Sequence, residues 1–183
     1  MIDPRLIISV FGINLTLSLY FFDLRKKIGT LIERDQGVLT MEQAKSLVEL
    51  YLEAVRKELL IILLNYLKKE YSTHVQTQNL SAIDNIVYVG TDTAIRNCRN
   101  KVSSFKLFGG LSFKTFVERI SPSDSGVIAS AKAGCHNVLQ NAIRDRRTDI
   151  DRLAEECIHI VETRSAEAGK TIITELEKHY TAR

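Results

Sequence analysis

Breaks and cross-links are scarce in this chain. Two prolines and nine glycines in 183 residues leave few obligatory interruptions and argue against a turn-rich β architecture. Long charged–apolar periodicities then predict a mostly α fold. Cysteine is scarce too. Cys98, Cys135 and Cys157 are odd in number and far apart, which excludes a disulfide framework and reads as reduced thiols in a cytosolic setting. Charge of one sign is missing as well: 25 Lys and Arg against 22 Asp and Glu give a net +3, too little to imply a partner. Its placement is uneven, because residues 72–123 hold six bases and three acids while the flanking parts nearly balance. There is no internal repeat and no low-complexity segment.

The organising stretch is Leu6–Phe22, seventeen residues without a charge. Asp3 and Pro4 provide an acceptor at an N-cap and a preset φ at the first helical position. Arg25, Lys26 and Lys27 close the run. Three readings stand. As a transmembrane helix it spans roughly 26 Å, slightly under the roughly 30 Å hydrocarbon core. Leu6, Ile7, Val10, Phe11, Leu15, Leu17, Leu19 and Phe22 would then face lipid, and Ser9, Gly12 and Thr16 would form a small-residue stripe. As a buried helix it would fill a soluble bundle. As a strand it would use the period-two alternation from Ile13 to Phe21. The membrane helix is the reading carried forward. The basic flank outweighs Arg5, so the bulk of the chain is expected on the cytoplasmic side. No basic leader or small-residue cleavage site marks the run as a signal peptide, and two sequons, at Asn14 and Asn79, are set aside on this topology.

Beyond it, helical spacing continues from Leu24 to Gln36, and residues 1–36 are taken as an anchor preceding a helical domain over 37–183. Thr40 and Gln43 form a capping box that opens a helix running to about Tyr71. Val48, Leu52, Val55, Leu59, Ile62, Leu63 and Tyr66 are its candidate interface positions, a coiled-coil-like seam. From Leu59 to Leu67 the helix is apolar on nearly every side, which suits either an end buried by neighbours or contact with a second subunit or the membrane surface. Residues 72–81 read as a polar connection. Ile86–Val89 reads as a short strand or a helical turn, followed by a helix from about Thr91 to Leu107 and a break at Gly109-Gly110. Ser112–Ile120 is a short helix, and residues 122–146 form one rich in small residues, opened by Ser121 and Pro122. A long C-terminal helix starts near Thr148 with Asp151 as capping partner. Its buried stripe is Ile150, Leu153, Cys157, Ile160, Val161, Ala168, Ile172 and Leu176.

Few residues suggest chemistry. Gly169-Lys170-Thr171 resembles the end of a phosphate-binding loop, but the earlier glycine and the preceding strand are missing. Cys135-His136 and Cys157-x-His159 have spacings that diverge on a helix and do not converge on one metal ion. Arg96, Arg99, Lys101, Lys106, Lys114 and Arg119 interleave with Phe105, Phe108, Phe113 and Phe116. Such a mixture suits a nucleic-acid strand or an anionic lipid surface, or simply two amphipathic helices with their rings inward. Arg144, Arg146 and Arg147 among Asp145, Asp149, Asp151 and Glu155 read as a solvated, salt-bridged face.

The sequence therefore predicts a transmembrane helix followed by a helical hairpin or bundle. No catalytic residue, cofactor or metal is assigned. The expected role is a non-catalytic, membrane-associated assembly or scaffold subunit of a larger multiprotein complex, acting with a protein partner or as a homo-oligomer. The alternative is a soluble nucleic-acid-binding regulator built on 96–119. An enzyme with an unrecognised scattered site is the third class.

Overall fold

Three of the described helices start where a side chain satisfies free backbone donors, and Thr40 is one such cap. Its hydroxyl accepts from the Gln43 N–H at 3.3 Å while Gln43 Oε1 accepts from the Thr40 N–H at 2.8 Å, the reciprocal capping box. The structure, a computed structural model, describes residues 38–120 and 128–182; the Leu6–Phe22 run, the 1–36/37–183 division, and the Ser121–Pro122 helix start lie outside these. The described residues are mostly helical and include a long C-terminal helix.

Helix α1 (Met41–Lys69) follows the capping box. Leu47, Val48, Tyr51, Leu52, Val55, Leu59, Leu63 and Tyr66 are all buried along it. Lys68 and Lys69 sit at its C-terminus, where cations oppose the helix dipole favourably. The chain turns slightly at Glu70 and continues as α2 (Tyr71–Thr77), where a polar connection was expected. The reason is a one-sided face: Tyr71 and Val75, four apart, are buried, Ser72 and Thr73 face water, and half-buried His74 lies against Tyr66. The Tyr71 hydroxyl donates to the Arg147 carbonyl at 2.8 Å.

Next come α3 (Ser81–Asp84), a π-helical segment (Asn85–Gly90) and α4 (Thr91–Lys101), joined without a break. Ile86–Val89 is thus helical, and wider than an α turn. The predicted extension of α4 to Leu107 does not occur. Phe105 and Leu107 are buried with exposed Lys106 between them, a period-two pattern that favours extended chain over helix. Backbone pairing confirms it: the Leu39 N–H donates to the Lys106 carbonyl at 2.8 Å, and the Phe113 N–H donates to the Phe105 carbonyl at 2.8 Å. A tight turn at Phe108–Gly110 reverses the chain, with Gly109 and Gly110 at φ of +76° and +77°. Two successive left-handed residues require glycine. Ser112 then caps α5 (Phe113–Ile120), its hydroxyl accepting from the Thr115 N–H at 3.1 Å.

Helix α6 (Ala129–Arg144) and α7 (Ile150–Thr181) complete the bundle. The cap of α7 is Asp149, which accepts from the Arg152 N–H at 3.2 Å, not Thr148. Of the predicted stripe, Leu153, Cys157, Val161, Ile172 and Leu176 are buried, whereas Ile150, Ile160 and Ala168 are half-buried. Arg147 grips Glu156, an acid that the salt-bridged-face reading did not name, through two bonds of 3.2 and 2.8 Å.

Helices α1 and α7 pack antiparallel along most of their length, α6 lies on α7, and α4 on α1. Small residues set two of these approaches. A Cβ at Gly134 would stand 2.7 Å from Ile160 Cγ2, and one at Gly169 would stand 2.9 Å from Leu52 Cδ1. The small-residue content of α6 thus lets α7 come close, and Gly169-Lys170-Thr171 is a helix interior. One contiguous core runs from Leu39 to Leu176.

All three thiols lie in that core. The neighbouring Cys135 sulfur, followed by burial, raises the Cys157 thiol, and burial pushes Cys98 up to about 11. Native protein at pH 8 should therefore react with an exchange reagent roughly a hundredfold more slowly than denatured protein. Rapid reaction of even one thiol in the folded chain would contradict this packing.

Candidate functional site

The sequence-derived candidates separate sharply once placed. Val48, Leu52, Val55, Leu59, Leu63 and Tyr66 are buried in the protomer's own core and Ile62 is half-buried. The seam meets α4 and α7 of its own chain. Among the described residues the large apolar side chains left exposed are Val89 and Phe108; within Leu59–Leu67, Leu59, Leu63, Leu64, Tyr66 and Leu67 are buried and Leu60, Ile61 and Ile62 half-buried. The membrane-facing candidates, Leu6 to Phe22, lie outside the described residues, and no described helix is long and apolar enough to cross a membrane.

The basic–aromatic region also divides. Phe105, Phe113 and Phe116 are buried, and so is Arg99. Arg96, Lys101, Lys106 and Arg119 are exposed, and Lys114 is half-buried, pairing with Glu118 at 3.9 Å and reaching Asn100 Oδ1 at 3.2 Å. The amphipathic reading accounts for three of the four rings. Phe108 is the exception, 46% exposed at the tip of the glycine turn.

That turn sits where the described chain begins. The Tyr180 hydroxyl donates to the Leu39 carbonyl at 2.8 Å and accepts from the Phe108 N–H at 3.3 Å, and His179 Nε2 donates to the Phe108 carbonyl at 2.9 Å. One phenol thus ties together Leu39, the turn and the end of α7. Burial pushes its hydroxyl upward in pKa. Clefts open on both sides. One of about 740 Å³ is lined by Val38, Leu39, Met41, Phe108 and Tyr180. The other, about 640 Å³, is lined by Leu111, Phe116, Arg119, Ile120, Lys178 and His179.

A second polar cluster was not anticipated. Asp84, Tyr88 and Asp92 follow one another at four-residue steps across the π segment, opposite Lys132 and His136 on α6. Lys132 is fully buried. Its ammonium pairs with Asp92, donates to the Tyr88 carbonyl at 3.3 Å, and lies 5.2 Å from the Tyr88 ring centre. His136 Nε2 contacts Asp84 Oδ1 at 2.6 Å. A π segment leaves carbonyls that an α-helix would bond. Here the Thr91 hydroxyl takes the Val87 carbonyl and Lys132 takes that of Tyr88. Every group has a partner within the protein, so the cluster is a fastening between the π segment and α6. Spacing offered a clue, because Lys132 falls in step with buried Cys135, Leu139 and Ala142.

Among the described residues, no three His, Cys, Asp or Glu side chains gather as a metal site would need. His136 engages Asp84, and His159 is exposed on α7 while Cys157 points inward. No protein-family model, curated protein or solved structure matches this chain.

Proposed function

We propose that the protein is a non-catalytic, membrane-associated helical module, an assembly or scaffold subunit of a larger complex. Residues 6–22 serve as its transmembrane anchor and the bundle lies on the cytoplasmic side. The observation that carries this reading is the join. The uncharged run and its Arg25-Lys26-Lys27 flank lead into Val38 and Leu39, which pair with Lys106 near exposed Phe108. The apolar run is thereby tethered to the end of the bundle that carries an outward aromatic ring.

Three of the four buried polar residues support a binding role over catalysis: Thr91, Lys132 and Ser165 each bond to protein groups, Ser165 donating to the Glu162 carbonyl at 3.1 Å. A catalytic group needs a vacant or activated position facing a substrate. Because the α1 seam is core, partner contact falls to exposed helix faces. The nucleic-acid alternative requires several rings offered for stacking, and only Phe108 of the four is offered. Comparing the full chain with one lacking residues 1–23 tests the anchor: the full chain should sediment with membranes and the shortened one should remain soluble and helical. Equal solubility of the two forms would overturn the reading.

A further inference from the structure

We infer that the Phe108 end of the bundle is a second membrane contact, in which Phe108 enters the interface of an anionic bilayer while Lys106 and Arg119 meet its head groups. The inference rests on the anchored reading above and adds a surface to it.

Three observations converge on this end. The first is the ring itself. A two-glycine turn leaves Phe108 46% exposed, its ring resting against that of Tyr180 at 6.1 Å between centroids, while its three neighbouring phenylalanines are buried. A single projecting ring between basic residues suits the bilayer interface, where aromatic side chains are favoured. It does not suit a strand of stacked bases.

Charge is the second. The acids at this end are already engaged: Glu118 with Lys114, Glu175 with Lys178, and Glu42 and Glu177 with Lys45. Among the described residues no carboxylate pairs with Lys106 or Arg119, and both are exposed. Lys106 lies two residues before the ring, and Arg119 lines the cleft shared by His179, whose Nε2 bonds the Phe108 carbonyl. Uncompensated cations at this position complement anionic head groups.

Reach is the third. Ten residues, 28–37, separate the basic flank of the anchor from Val38. Even fully extended, ten residues cover only about 35 Å. Val38 and Leu39 are paired directly to Lys106, so the turn is confined near the bilayer by the tether. Confinement raises the local concentration of the face at the membrane and makes a weak contact effective.

The protein contains no tryptophan, so full-length Phe108→Trp carries a single indole at the tip of the turn. The test reconstitutes it into vesicles of phosphatidylcholine alone and of phosphatidylcholine with phosphatidylglycerol. In the anionic vesicles the emission should move to shorter wavelength and be quenched by brominated acyl chains. In neutral vesicles, and at 1 M salt where screening shortens to about 3 Å, the shift should be largely lost. Adding Lys106→Gln and Arg119→Gln should weaken the contact about fivefold per cation, with helical content unchanged by circular dichroism. If the chain stays in alkali-washed vesicles of both kinds while the indole remains water-like, the second contact is wrong and the anchor stands. If the chain leaves both kinds of vesicle on washing, the anchor and this contact fail together. A shift induced by a single-stranded oligonucleotide, and not by anionic vesicles, would overturn the lipid assignment.

Discussion

Lysine in place of Leu63 should unfold the protomer and not merely release a partner. Leu63 is fully buried on α1, in a stretch where Leu59, Leu64, Tyr66 and Leu67 are buried as well. An ammonium there would lose its hydration without an acceptor, or give up its proton at a comparable cost. The expected loss is about 4–6 kcal/mol, a large fraction of the roughly 5–15 kcal/mol by which a domain is stable. Replacing Leu59 with Ala should cost about 2–5 kcal/mol through lost packing alone. Denaturant titration followed by far-ultraviolet circular dichroism measures both. A Leu63→Lys chain with parental helix content and midpoint would remove the seam from the core.

The second large effect lies at Lys132. Replacing it with Met should cost about 3 kcal/mol, because Asp92 loses its partner and the Tyr88 carbonyl its donor. The carboxylate of Asp92 is 33% exposed, and water therefore recovers part of its solvation and limits the loss. Asp92→Asn keeps an acceptor for the ammonium but leaves the fully buried Lys132 without a counter-charge, so its cost should be comparable, at about 3 kcal/mol. Introducing Leu at Asp92 together with Met at Lys132 should recover stability relative to Lys132→Met alone, since a buried ion pair and a well-packed apolar pair often stabilise a fold to a similar extent. A Lys132→Met protein within about 0.5 kcal/mol of the parent would show that the π segment does not depend on this fastening.

These two residues also mark what could be read from the chain. Leu63 belongs to a local pattern. Its neighbours at three- and four-residue spacing declare a buried face, and the Thr40–Gln43 box and the two glycines at 109 and 110 are equally local signals. What such spacing does not specify is whether the face meets its own chain or another. That depends on α4 and α7, which are distant in sequence. Lys132 shows the opposite difficulty. Its burial is compensated by a carboxylate 40 residues earlier, on a segment whose π geometry no periodicity announces.

Smaller departures have the same origin. Helix α2 was hidden because two buried residues, Tyr71 and Val75, suffice to seat a two-turn helix whose other positions are polar. Thr148 and Asp149 are adjacent acceptors, and only the path of the chain decides which one reaches the Arg152 N–H. Phe108 differs from Phe105, Phe113 and Phe116 because the glycine turn aims it outward, a property of backbone dihedrals and not of residue type.

The central claim is that residues 6–22 anchor this bundle in a bilayer, and alkaline extraction of membranes carrying the full-length chain tests it most directly. High pH strips proteins held by surface charge and leaves membrane-spanning segments in place. The account predicts that the chain remains in the washed membrane pellet and is released only by detergent. Recovery of the full-length protein in the alkaline supernatant, or as a soluble monomer before any wash, would contradict it.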